Sequence, residues 1–381
     1  MKNKKKRDVQ ANLEKEQILH PEKLKEKKKK RRKKIVLTVA FELLIFIAIV
    51  YVAFQIVRTV GKNSLNSRAE SAGPELALVE VQSQTLTEEE ESIWQDGWVK
   101  HEGKIYTYNE DIMTFLFMGI DKNSDVKEVA EGTNAGQADA LFLAVMNPHN
   151  KTIKVIGINR NTMADVDLYN EEGAYINTVK AQIAVQHGFG NGVEESCEYQ
   201  KKAVQKLFYN LPIHGYAAIN MSAIPTINDA VGGVEVTVLE DLTKKDSTLV
   251  KDARVHLMGQ SAFWYVKYRD TNEFASADGR LERQKQYLNS FIGEAKKAAK
   301  EDITVALDLY KAVSPQMVTD ITVDEVAYLA PILTDYRFDS DSFYMPEGET
   351  VMGEQFEEFY VDEDDLYEMI LEVFYEEVEM E

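Results

Sequence analysis

Sulfur chemistry has almost nothing to work with in this sequence. One cysteine, Cys197, stands among 381 residues. An intramolecular disulfide therefore cannot form, and a zinc ribbon or any other multi-thiolate site is excluded. Cys197 sits in a predicted helix between Glu195 and Glu198. Those neighbours oppose a thiolate, so it reads as a structural thiol. The six histidines are scattered, with no pair at helical ligand spacing, which argues against a histidine-rich metal centre. Ser222, Ser261 and Ser276 lack a sharp glycine elbow, and no histidine lies at a suggestive spacing, so a serine–histidine triad is rejected. No internal repeat is found. Hydrophobic residues make up 44% of the chain and aromatics 10%, which excludes a wholly disordered protein.

What is present is a sharp asymmetry of charge. The chain holds 44 Lys and Arg against 64 Asp and Glu. Residues 1–34 carry a net charge of +11, and residues 59–381 carry −31. A strongly acidic main region argues against non-specific nucleic-acid binding. The basic tail ends in eight consecutive cations, Lys27 to Lys34, directly before a 23-residue apolar run at 35–57 with Glu42 as its one ionisable residue. About 20 apolar residues suffice to cross a bilayer as a helix. The run is long for a signal peptide, and no small-residue cleavage site follows closely. The sequence thus predicts a single-pass protein of the cell membrane, with a cytoplasmic basic tail at 1–34, a transmembrane helix at 35–57 and an extracellular remainder. Glu42 either marks a helix partner or snorkels towards the basic interface.

Residues 58–111 are polar and mixed and read as a stalk, with a short hairpin around His101 to Lys104. From Ile112 the pattern alternates. Strands are predicted at 113–120, 141–146, 152–158, 215–220 and 234–238, with a turn at Asn147 to Asn150 and another at Gly232-Gly233. Helices are predicted near 176–187, 195–209, 222–230, 258–268 and 280–299, and in the C-terminal section near 303–312, 323–333 and 363–377. The glycine cluster His187 to Gly192 follows a predicted helix rather than a strand, so it reads as a helix-ending turn and not a phosphate loop. The order points to an α/β fold, a mixed central sheet with helices on both faces.

Several residues could carry chemistry. Asp121 and Asp139 flank the first two core strands. In an antiparallel pair those ends meet, and two carboxylates there can hold a hard divalent cation such as Mg²⁺ together with substrate phosphates. Both also fit ordinary turn residues that cap strands. Arg160 follows a buried strand, where a lone arginine is most often a solvated loop residue. The segment Tyr265 to Gln284 is the most informative. Lys267, Arg269, Arg280 and Arg283 place four cations in a short stretch of an acidic region, and Arg280, Arg283 and Gln284 share one face of a helix's first turn. Cations are poorly placed at a helix N-terminus unless an anion sits there. Arginine suits phosphate through its planar donor fork. The face continues through Tyr287, Leu288 and Phe291, which matches either a ligand with a phosphate head and hydrocarbon tail or an amphipathic core helix.

These pieces together resemble the LytR–CpsA–Psr cell-envelope family. The resemblance covers roughly residues 112–300 as the domain core, with 301–381 as an extension packed on it. It is carried by FLFMGID at 115–121, QADALFLAVMNPHNKTIKVIGINRNT at 137–162, YAAINMSAIPTINDAVGGVEV at 216–236, GQSAFWYVKYRD at 259–270 and GRLERQKQYL at 279–288. The resemblance implies a phosphotransferase that moves a glycopolymer from a polyprenyl-pyrophosphate carrier onto a peptidoglycan acceptor, working on a membrane lipid and not on nucleic acid. It implies Asp121 and Asp139 as Mg²⁺ carboxylates. Arg160, Arg269, Arg280 and Arg283 would hold the phosphates with Gln284 beside them, and Lys122, Lys267 and Asp278 would contact substrate. Where the family often has arginine two residues after the first aspartate, this chain has Asn123. Where an Arg-Asp pair is usual, it has Arg160-Asn161, and Lys267 replaces a frequent arginine. Asp278 stands one residue nearer Arg280 than the pattern suggests. These departures motivate an alternative, a non-catalytic polyprenyl-phosphate-binding or regulatory protein. Direct gene regulation, the third reading, conflicts with the extracellular topology.

Overall fold

The computed structural model describes residues 86–129, 135–170, 172–270, 272–302 and 304–379, with shorter pieces at 29–30, 33, 48, 51–65, 67–68 and 73–76. Most of the basic tail and of the apolar run at 35–57 lies outside the described residues. Among the described residues no helix is long and apolar enough to cross a membrane. The unit formed by residues 60–381 contains the elements below.

A six-stranded mixed sheet forms its centre, in the order β11-β8-β3-β4-β5-β12. Its strands are β3 (Met113–Ile120), β4 (Ala138–Asn147), β5 (Thr152–Ile158), β8 (Gly215–Asn220), β11 (Met317–Thr319) and β12 (Phe343–Tyr344). β4 runs antiparallel to both of its neighbours, β3 and β5, whereas β8 lies parallel to β3 and β12 parallel to β5. Alternation along the strands sorts side chains to two faces. Leu116, Met118, Leu141, Leu143, Val145, Ile156 and Ile158 point into one core with Val204 of α2 (Glu194–Leu207) and Ile370 and Phe374 of α8 (Glu363–Phe374). Met113, Phe115, Met146, Ile153 and Val155 point into the other, with Leu329 of α7 (Val323–Asp335) and Leu288 and Ile292 of α5 (Ser276–Glu301). Helices therefore cover both faces of a mixed sheet, as the sequence implies. Full burial of a single leucine such as Leu116 or Leu143 stabilises the fold by roughly 1.5–3 kcal/mol.

A third apolar cluster joins β9 (Val234–Thr237) and β10 (Arg254–Leu257) to α4 (Gln260–Lys267). Tyr287 and Phe291 of α5 pack against it, and the Tyr287 hydroxyl donates to Asn228 Oδ1 at 3.2 Å. The apolar face of α5 is thus partly buried by packing. Helix α3 (Ile224–Ala230) precedes the Gly232-Gly233 turn, and both glycines have positive φ. Cys197 is fully buried, and burial, more than Glu198 and Glu194, pushes its thiol pKa up.

The segment predicted as helix at 176–187 is instead β7 (Tyr175–Gln182), paired with β6 (Met163–Tyr169), followed by a 3-10 turn over Ile183–Phe189. β7 has no buried residue, so its sequence carries no two-residue alternation to announce a strand. The hairpin expected near His101 to Lys104 is present as β1 (Val99–His101) and β2 (Lys104–Tyr108), after α1 (Glu88–Ile93). The C-terminal β15 (Tyr375–Glu377) pairs with β2. Between α7 and α8 lies a hairpin of β13 (Gly348–Met352) and β14 (Glu357–Val361). Helix α6 (Val305–Val313) completes the set.

Candidate functional site

The site grows from an irregularity in the sheet. Gly119 pairs with Ala140 and Ile120 with Ala138, so Asp139 is an extra residue bulged out between two pairings. A bulge re-aims the side chain it carries. Just beyond β3, the Asp121 backbone N–H donates to Gln137 O at 3.1 Å, and the Gln137 N–H donates back to Asp121 Oδ1 at 2.8 Å. Gly136 makes this approach possible. Its φ is +93°, and a Cβ there would come within 2.8 Å of Ile120 Cγ2 and 3.0 Å of both Asp121 Oδ1 and Lys122 Cε. The two aspartates thus share one sheet edge, with Lys122 beside them.

Two guanidiniums converge on Asp139. α5 begins at Ser276, four residues before the sequence places it, so Arg280 lies one turn in; it donates from Nη1 to Asp139 Oδ2 at 2.9 Å and from Nη2 to the Asp139 carbonyl at 3.2 Å. Arg160, just past β5, places Nε 3.1 Å from Asp139 Oδ1, off the hydrogen-bond direction, while its Nη2 donates to Gln137 Oε1. Burial pushes the pKa of Arg280 down to about 10, Asp139 opposes that shift, and Arg160 and Arg269 add to it. Arg160 shifts downward for the same reasons: burial first, with Asp139 opposing and Arg269 adding. Arg269 therefore lies close enough to repel both. Lys267 is also pushed down by burial and drawn back up by Asp121 and Asp139. Its ammonium donates to Asn123 Oδ1 at 2.8 Å. Crowding of this kind is unfavourable until an anion arrives.

The remaining candidates have other partners. Arg283 is fully buried; its Nε donates to Glu240 Oε1 at 2.9 Å, and its two terminal nitrogens donate to the carbonyls of Tyr265 and Tyr268. Gln284 Nε2 donates to the Val266 carbonyl at 3.1 Å. Both side chains satisfy carbonyls left open at the C-terminal end of α4, a task cationic and amide donors do well. Asp278 accepts from Asn159 Nδ2 at 2.6 Å and from Thr350 Oγ1 at 3.0 Å. So Arg160, Arg269, Arg280 and Lys267 gather about Asp121 and Asp139, whereas Arg283 and Gln284 brace the segment that leads to Arg269.

Sequence reasoning missed the contribution of β13 and β14. Glu357 accepts from Ala275 N at 2.8 Å and from Asn161 Nδ2 at 3.3 Å, and its Oε2 lies 3.9 Å from Arg269 Nη1. No local motif marks it in an acidic tail. His187 was also passed over. Its Nδ1 lies 3.0 Å from the Gly136 carbonyl, and burial lowers its pKa to about 4. Besides Arg160 Nε, three buried polar atoms in the segments framing the site have no hydrogen-bond partner among the described residues: Thr162 Oγ1, His187 Nε2 and Ser276 Oγ.

Could Asp121 and Asp139 hold a cation? Among the described residues, no group of three or more His, Cys, Asp or Glu forms a cage. Asp139 already faces two guanidiniums, and Asp121 is exposed. A carboxylate offers about four lone-pair directions. The donor set fits a Mg²⁺ that takes one or two carboxylates and completes its shell with water and substrate phosphate.

Known proteins share this architecture. A curated relative, the polyisoprenyl-teichoic acid–peptidoglycan teichoic acid transferase TagU of Bacillus cereus, is 27% identical over 64% of this chain and 72% of its own length. The crystal structure of B. subtilis TagV superposes with a TM-score of 0.53 at 23% identity, covering 68% of this chain and 96% of that one. A structure of TagT bound to LI-WTA gives a TM-score of 0.51 at 20% identity, covering 69% of this chain and 89% of that one. At these identities the structures show the fold. The LytR_cpsA_psr family pattern matches residues 76–370, reaching past 112–300 at both ends, and the chain belongs to that family.

Proposed function

We propose that the protein is a membrane-anchored phosphotransferase that moves a glycopolymer of the teichoic-acid kind from a polyprenyl-pyrophosphate carrier onto peptidoglycan. The observation that carries the reading is the convergence of Arg160, Arg269 and Arg280, from three separate segments, about the bulged Asp139. Such a cluster in a region of net charge −31 makes sense as the seat of a multiply charged anion. The names of the curated relatives point to the same reaction class.

In the proposed reaction an acceptor hydroxyl oxygen of peptidoglycan forms a new bond to the glycan-bearing phosphorus. The bridging P–O bond breaks, polyprenyl phosphate leaves with the bond's electrons, and the hydroxyl proton passes to solvent. Charge builds on the phosphoryl oxygens, and preorganised guanidiniums neutralise it without reorganising. Arg280 and Arg160 are fixed by Asp139, so they act as a rigid cradle. Lys267, the last residue of α4, and Arg269, held more loosely just beyond it, approach from the C-terminal end of α4. Mg²⁺, held by Asp121 and Asp139, would add charge neutralisation to the pyrophosphate when bound. The anchor is the apolar run at 35–57, with the basic tail inside and the catalytic unit outside. Tethering to the bilayer raises the effective concentration of a lipid-borne substrate.

Asn123 and Asn161 do not leave gaps, since Asn123 accepts from Lys267 and Asn161 donates to Glu357. That favours a working site over a degenerate one. The test is transfer by the full chain in detergent, with a polyprenyl-pyrophosphate-linked teichoic glycopolymer, peptidoglycan and Mg²⁺. Release of polyprenyl phosphate together with glycan on peptidoglycan is expected. Tight binding of the lipid with no release would establish the non-catalytic alternative instead.

A further inference from the structure

The residues around Arg269 pose a problem of orientation. Arg160 and Arg280 are fixed on Asp139, but Arg269 is repelled by both and receives no counter-charge from the neutral Asn161. Among the described residues, Glu357 is the carboxylate paired with it, at 3.9 Å. Glu357 comes from β14, far along the chain and outside every motif that suggested the site.

Its carboxylate is held more firmly than the arginine it faces. Oε1 accepts from the N–H of Ala275, which has left-handed φ of 58° and immediately precedes α5. The positive end of a long helix favours a carboxylate there. The Glu357 carbonyl accepts from Gln182 Nε2 at 2.6 Å. Two residues on, the Phe359 N–H donates to the Asn161 carbonyl at 3.0 Å, and Thr350 on the partner strand donates to Asp278. The β13–β14 hairpin is thus fastened to residues 161, 182, 275 and 278, all in segments that frame the arginines. A fixed anion beside a loosely held cation sets the direction of that cation. At 3.9 Å it steers Arg269 without consuming its donors, which stay available for phosphate.

We infer that Glu357 is a positioning residue: it orients Arg269 towards the transferred phosphoryl group, so the C-terminal hairpin completes the site. The inference rests on the transferase reading for its rate measurement only. Asn161 supplies a discriminating variant. Its side chain is one hydrogen bond from the Glu357 carboxylate, so Asn161→Asp restores a negative charge within hydrogen-bond distance of where that carboxylate stood.

The experiment uses the full chain in detergent as wild type, Glu357→Gln, Asn161→Asp/Glu357→Gln, Arg269→Ala and Arg269→Ala/Glu357→Gln. Transfer rate and binding of inorganic pyrophosphate with Mg²⁺ are both measured. Glu357→Gln should lower kcat about tenfold to hundredfold with KM within a few fold, as misplacement of a catalytic group does. Asn161→Asp/Glu357→Gln should recover most of that loss, and Glu357→Gln should have no further effect once Arg269 is alanine. Wild-type kcat in Glu357→Gln, no rescue by the relocated charge, or an equal loss without Arg269 would each overturn the inference. If the wild type itself transfers nothing, the transferase reading fails separately. The pyrophosphate cycle then decides: affinity changes at 357 that depend on Arg269 uphold the coupling, and additive changes overturn it.

Discussion

Arg280 and Arg283 stand three residues apart on one turn of α5, are both buried, and do different work. Arg280 spends its donors on Asp139 and shares that carboxylate with Arg160, in a neighbourhood where Arg269 repels both. Arg283 spends its donors on two main-chain carbonyls and on Glu240. The first arrangement gathers more positive charge than it neutralises and is complete only with an outside anion. The second is complete already. The difference teaches that residue type and helical face do not separate a binding arginine from a bracing one; what decides is whether the partners arriving from elsewhere are spare carbonyls or a carboxylate held in common.

That contrast can be broken most forcefully at Arg280. Arg280→Ala should cost about 10³ in kcat/KM, roughly 4 kcal/mol of transition-state stabilisation, with a much smaller effect on unfolding. Activity is read as polyprenyl phosphate release and stability by calorimetry. Arg283→Ala should do the reverse. Two buried carbonyls and Glu240 lose their donor, and denaturant unfolding should show a loss of about 3 kcal/mol. Arg283→Lys restores a charge but not the fork, so it should recover only part of that loss. A folded, inactive Arg283→Ala with wild-type stability would erase the distinction.

Acid should weaken the Asp139 side through His187. Burial holds His187 at a pKa of about 4, below its unfolded value near 6.5. Between those values the unfolded chain binds the extra proton, so stability falls as the pH drops from 6.5 towards 4. The cost is about 1–3 kcal/mol by pH 4. His187 lies against the Gly136 carbonyl, so its titration loosens the turn that carries Asp121. His187→Gln should flatten that part of the pH–stability curve; buried His214, also shifted to about 4, should leave its own share intact. The smallest effect is expected at Gln284→Ala, about 1 kcal/mol of stability for one lost bond to the Val266 carbonyl, with transfer nearly unchanged.

Much of this molecule was legible because its strands are buried. The apolar runs of β3, β4 and β5 announce themselves, and with them the edge that unites Asp121 and Asp139. The start of α5 was legible only in part: the sequence places it at Arg280, whereas the helix begins at Ser276, so Arg280 and Arg283 fall beyond the first turn, where helix electrostatics no longer disfavours them. A carboxylate does stand at the helix's start, where Glu357 accepts from the Ala275 N–H. β7 was not legible, because an exposed strand has no face to declare. Glu357 was invisible for a different reason: one glutamate in an acidic tail acquires meaning only when β14 docks beside residue 161. The division of labour between Arg280 and Arg283 depends on where α4 ends, which helical periodicity places only to within a residue or two.

The pairing of β15 with β2 bears on how the protein is made. Tyr375 aligns with Tyr108, so a strand far down the chain closes a sheet begun by β1 and β2. During synthesis that sheet waits until residues 375–377 have emerged, and the closure of so long a loop is slow. Premature termination anywhere before Tyr375 leaves the edge of β2 uncovered, an open template for other chains.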